Sequence, residues 1–65
     1  MRNYKVEITV GEFCDLCSVG MDVIVYDTKT EQYIYSGLNY KVPSDIEDMI
    51  VDSYQVETND LYINV

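Results

Sequence analysis

Along the first residues apolar and polar positions alternate strictly: Tyr4, Val6 and Ile8 are interleaved with Lys5, Glu7 and Thr9. A period of two predicts a strand with one wet face and one buried face. The period then changes. Val10, Phe13, Cys14 and Cys17 stand at i, i+3, i+4 and i+7, which gathers them into one stripe of a short helix over residues 10–18. Thr9 and Glu12 have capping-box spacing, in which the threonine hydroxyl accepts from a first-turn N–H and the glutamate reaches back. Gly11 costs such a helix about 1 kcal/mol relative to alanine, and Gly20 is placed to end it.

Met21 to Tyr26 (MDVIVY) is apolar on both faces and predicts a central strand. Asp27-Thr28-Lys29-Thr30 supplies a turn, and Tyr33, Ile34 and Tyr35 return from it as the second arm of a hairpin. Plain alternation puts Tyr33 and Tyr35 on one face and Ile34 on the other. Gly37 ends the arm, and residues 38–42 read as an irregular or edge segment. Behind Pro43, Ser44-Asp45-Ile46-Glu47 has the spacing of a second capping box, with Asp45, Glu47 and Asp48 as N-terminal helix charges. Helical spacing through Ile46, Met49 and Ile50 lasts only about two turns. From Val51 the pattern is strand-like again, Tyr54 and Val56 opposing Ser53 and Gln55. Thr58-Asn59-Asp60 is a turn signal, and Leu61, Ile63 and Val65 alternate in a closing strand. Together these elements predict a single compact α+β domain over residues 1–65, with a small, mainly antiparallel sheet of about five strands and one or two short helices.

Length and composition narrow the chemistry. A chain of 65 residues buries only about 60% of its unfolded surface, so a homo-oligomer is expected. No apolar run approaches the ~18 residues of a membrane span, and the alternating start is unlike a signal peptide. Two cysteines do not make a disulfide scaffold, so a reducing, cytoplasmic location is expected, the host cytoplasm if the chain is phage-encoded. With no histidine, the commonest general base and neutral metal ligand are missing. There is no Gly-rich phosphate loop, nucleophile elbow or calcium loop. No catalytic residue, metal site or cofactor is therefore assigned, and the chain reads as a non-enzyme.

Cys14-Asp15-Leu16-Cys17 is the one recognisable motif. A single pair is half of a tetrathiolate zinc site, which would take two chains, and a redox pair wants an exposed, low-pKa thiol at a helix N-terminus. Cys14 instead lies on the apolar stripe, where cysteine behaves as a small hydrophobe. Core packing is the expected role.

Charge adds the sharper signal. The chain carries a net −8: residues 1–41 hold four bases and six acids, whereas residues 42–65 hold six acids and no base. Those six are Asp45, Glu47, Asp48, Asp52, Glu57 and Asp60. Such a surface repels phosphate, so direct binding of nucleic acid is not expected. It either keeps the protein soluble or lures a basic groove such as a nucleic-acid channel, several carboxylates imitating the ~1.7 Å charge spacing of duplex DNA. Seven tyrosines are the second unusual feature. Tyr33 and Tyr35 either form a second core layer under residues 38–42 or present an aromatic interface.

In size, in its acidic 42–65 segment and in the layout of Thr9-Val10-Gly11-Glu12, Met21–Tyr35 and Ser44–Val65, the chain resembles the short acidic proteins of phages and mobile elements. Some anti-CRISPR and anti-restriction proteins are of this type. The resemblance implies a DNA-mimic-like inhibitor or decoy that acts by protein–protein contact on a basic, nucleic-acid-handling host defence enzyme such as a nuclease. The alternative is an oligomeric structural or accessory module whose acidity serves solubility. A third reading is an oligomer that uses its tyrosine face to bind a small ligand or modulate nucleic acid.

Overall fold

A computed structural model describes residues 7–17 and 20–65. Helix α1 (Val10–Asp15) is followed by the hairpin β1 (Asp22–Asp27) and β2 (Gln32–Leu38), by helix α2 (Ser44–Glu47), and by the hairpin β3 (Ser53–Glu57) and β4 (Asp60–Asn64). The strands form one sheet in the order β2-β1-β4-β3. Two of the pairings are the antiparallel hairpins; the third joins them through β1 and β4, which run parallel. The fold is α+β as the pattern predicts. The sheet has four strands among the described residues, not five: Tyr4 and Val6 of the first expected strand lie outside them. Of that segment, Thr9 forms an isolated antiparallel bridge with Ile50, and Ile8 accepts from the Val51 amide at 2.9 Å.

The two central strands carry the core. Val23, Val25, Leu61 and Ile63 are fully buried on one side of β1 and β4, and Val10, Cys14, Val42 and Ile46 close over them. Both helices therefore lie on the same side of the sheet. Strand β2 and strand β3 are opposite edges, about 14 Å apart at ~4.8 Å per strand, so the chain between them must cross the whole sheet. Helix α2 lies in that crossing, and Ile46 seals it from above.

The helix caps differ from each other. At α1 the expected box is formed: the Thr9 hydroxyl accepts from the Glu12 amide at 3.1 Å, and the Glu12 carboxylate accepts from the Thr9 amide at 3.0 Å. The helix ends at Asp15 rather than at 18, its last turn tightened by bonds from the Leu16 amide to the Phe13 carbonyl and from the Cys17 amide to the Cys14 carbonyl, both 3.1 Å. Ser18 lies outside the described residues. At α2 the second capping box is absent. The N-cap is Pro43, which has no side-chain acceptor, and its carbonyl takes the Ile46 and Glu47 amides at 3.0 and 2.9 Å. With only four residues, α2 has Asp48 at its C-cap, where a carboxylate opposes the helix dipole instead of favouring it.

A second correction concerns the tyrosines of β2. Val25 pairs with Tyr35 and Tyr26 pairs with Tyr33, so the register shifts at a β-bulge that holds Ile34 as an extra residue. Tyr35 and Ile34 consequently pack against the core side, whereas Tyr33 joins Tyr26 on the other side. Simple alternation fails here because the bulge inserts one residue.

Candidate partner-binding surface

The pairing registers place the outward residues of the sheet in three cross-strand rows. The first runs Leu38, Asp22, Asp60, Glu57. The second is Ser36, Ile24, Tyr62, Gln55, and the third Tyr33, Tyr26, Asn64, Ser53. None of these positions is a lysine or arginine. No described element covers this face, since α1 and α2 both pack on the other one. Cross-strand neighbours have Cβ atoms roughly 5 Å apart, so the first row sets three acidic residues on adjacent strands.

Aromatic rings furnish the rest of the face. Tyr26 and Tyr33 meet edge-to-face, with centroids 5.0 Å apart and planes at 67°. Together with Ile24, Tyr62, Ile63 and Asn64 they line a shallow depression of about 270 Å³. Ligand clefts typically occupy ~300–1,000 Å³; this one falls at the lower end of that scale. Tyr33 is 69% exposed, while Ile24, Tyr26 and Tyr62 are half-buried against one another. Polar groups at the margin are held in place: the Asn64 amide donates to the Ser53 hydroxyl at 2.9 Å, and the Gln55 amide to Glu57 at 3.4 Å.

The six acids expected as a partner-binding set are not brought together. Asp45, Glu47 and Asp48 sit on α2 and just beyond it, on the helix side, with Asp45 and Asp48 exposed and Glu47 half-buried against Gly11. Asp52 is exposed at the head of β3, where it lines a groove with Glu7 and Lys29. Glu57 and Asp60 lie on the open face at the far end of β3 and β4. Asp22, which sequence reasoning passed over, completes their row. Its place follows from the parallel register of β1 on β4, which no local pattern announces.

The two expected interface tyrosines separate as well. Tyr33 belongs to the open face. Tyr35 is half-buried on the helix side, and its hydroxyl donates to the Leu38 carbonyl at 2.8 Å. Burial pushes that hydroxyl's pKa up, Cys14 and Asp22 adding to it. The two residues thus part: Tyr35 packs against the core side and Tyr33 faces outward.

Cys14 is buried in the core, and burial first, then the neighbouring Cys17, Glu47 and Asp15, push its pKa up to about 11. Its thiol is protonated at neutral pH. Cys17 is half-buried, its thiol raised by burial and donating to the Phe13 carbonyl at 3.5 Å. A thiol that is protonated and enclosed is a poor nucleophile and metal ligand. Among the described residues no group of three or more Cys, Asp or Glu side chains is arranged to hold a metal ion, and no helix is long and apolar enough to cross a membrane. Comparison with protein-family models, with curated proteins and with solved structures finds no match to this chain.

Proposed function

We propose that the chain is a non-enzymatic acidic binding protein, a phage- or mobile-element-type inhibitor or decoy that occupies the basic groove of a nucleic-acid-handling host defence enzyme in the cytoplasm. The observation that carries this reading is the row Asp22–Asp60–Glu57. Like charges set directly opposite each other destabilise a sheet, and among the described residues no base on that face relieves them. Solubility needs only dispersed charge. Three adjacent carboxylates on a rigid sheet instead concentrate negative potential where it steers a cationic partner. The acids of α2 and Asp52 extend that potential over the other surfaces.

A second reading, an oligomeric accessory module, is favoured by one observation of its own. Tyr54 and Val56, on the helix-side face of the edge strand β3, are each 58% exposed although Tyr54 meets the Phe13 ring edge-to-face, an apolar margin of the kind that a second copy covers. The test is affinity capture from a bacterial lysate at low and high salt, followed by elution with duplex DNA. The decoy reading expects a basic nucleic-acid enzyme that is retained at low salt and displaced by DNA. Capture of nothing that DNA displaces, together with a stable oligomer, overturns it in favour of the accessory module.

A further inference from the structure

We infer that the face of the sheet left open by the described elements is the docking surface and that its occupant is an arginine-bearing segment of a partner protein, whose side chain lies in the tyrosine depression with its guanidinium on the carboxylate row. This rests on the acidic-binder reading above and names the site and the group that it recognises. The chemistry is arranged stepwise along the strands. Two residues inward from Asp60 on the same face is Tyr62, and two inward from Asp22 is Ile24. At ~3.3 Å per residue that step is about 7 Å, so an extended side chain lying across Tyr62 and Ile24 brings its charged end to Asp60. Arginine suits this path better than lysine. Its planar head stacks on tyrosine faces and forks onto carboxylates in bidentate fashion, and its stem covers apolar surface.

Charge complementarity selects this occupant over the others. A second copy of a chain with net charge −8 would bring a like carboxylate row to the same interface, at a cost that grows as water is excluded. Nucleic acid is repelled for the same reason. The depression, at about 270 Å³, is shallow and open to one side, so it does not enclose a small molecule, whereas a side chain can lie along it.

The probe is blocked hexa-arginine, titrated into the isotope-labelled full chain at low ionic strength and followed by amide chemical shifts, with blocked hexalysine beside it. Shifts are expected at Ile24, Tyr26, Asp60 and Tyr62, with hexa-arginine bound more tightly than hexalysine. Asp22→Asn/Glu57→Gln/Asp60→Asn should weaken hexa-arginine on the order of tenfold, three exposed charge pairs being removed. Asp45→Asn/Glu47→Gln/Asp48→Asn should leave it within about twofold, because those acids lie on the other side of the sheet. The carboxamides keep the side-chain shape, and circular dichroism checks that both variants are folded. Equal weakening by the two triples, or shifts centred on α2, overturns the docking face while leaving an acidic binder in place. Absence of binding by either peptide overturns both. Self-association that shifts the same four amides on concentration, without peptide, assigns the face to a second copy and overturns the proposal.

Discussion

Gly37→Ala is the substitution whose sign the packing decides most sharply. Gly37 does not take the left-handed backbone conformation, which among the glycines belongs to Gly20 at φ 96. On backbone grounds alone alanine should therefore stabilise, by about 0.4–1 kcal/mol through the unfolded state. The side chain of Tyr35 reverses this. A Cβ at position 37 would stand 2.8 Å from the Tyr35 hydroxyl oxygen and 3.1 Å from its Cζ, well inside normal contact. The hydroxyl cannot swing away freely, because it is bonded to the Leu38 carbonyl at 2.8 Å and the ring packs against the core. Overpacking of this kind costs about 1–3 kcal/mol, which leaves a net loss of about 1–2 kcal/mol. Urea unfolding followed by circular dichroism measures it: with a slope of about 1 kcal/mol per molar for so small a domain, the midpoint should fall by about 1–2 M. Tyr35→Phe alone should cost about 0.5–1.5 kcal/mol for the lost hydrogen bond. In that background Gly37→Ala should be close to neutral, a coupling of about 1–2 kcal/mol between neighbours. A midpoint at or above the parent for Gly37→Ala, or strict additivity in the double variant, would refute this placement of Tyr35.

Three further outcomes follow from the structure. Asp60→Asn removes the centre of the carboxylate row without breaking a described hydrogen bond, so it should stabilise the fold by about 0.2–1 kcal/mol in urea while weakening a basic partner; loss of stability would contradict the strained row. Thr9→Ala should cost about 1 kcal/mol by removing the α1 cap, and an unchanged midpoint would contradict it. Cys14 supplies a pH dependence. Its thiol titrates near 9.0 when unfolded and near about 11 when folded, so the folded chain holds a proton that the unfolded chain has lost. The stability this contributes is complete below pH 9 and declines as pH rises from 9 towards about 11. Cys14→Ala should flatten that part of the stability–pH curve, and an identical slope in both proteins would place the thiol in water.

What the chain discloses locally and what it withholds divide along sequence separation. The α1 cap was legible because Thr9 and Glu12 are three residues apart and satisfy each other. The β1–β2 turn was legible for the same reason: the Asp27 carboxylate accepts from the Lys29 and Thr30 amides at 2.9 and 3.4 Å. The central position of β1 followed from its apolar run. The bulge at Ile34 was not legible, since either face of β2 could have met the core and only packing over Val25 and Gly37 selects one. The α2 cap was misread because Ser44 and Glu47 match the spacing while the chain enters the helix at Pro43. The candidate face was the least visible. Its acid row needs the parallel pairing of β1 with β4, which β2, α2 and β3 separate along the chain, so no local pattern singles out Asp22.

The most direct test of the acidic-decoy account is displacement of nucleic acid from the enzyme that the protein captures. A fluorescently labelled duplex bound to that enzyme should lose its anisotropy as the protein is added, reaching the value of free duplex at saturation. The midpoint should move to higher protein concentration as salt is raised. Duplex that stays bound while the protein binds alongside it, or displacement indifferent to salt, would contradict the account.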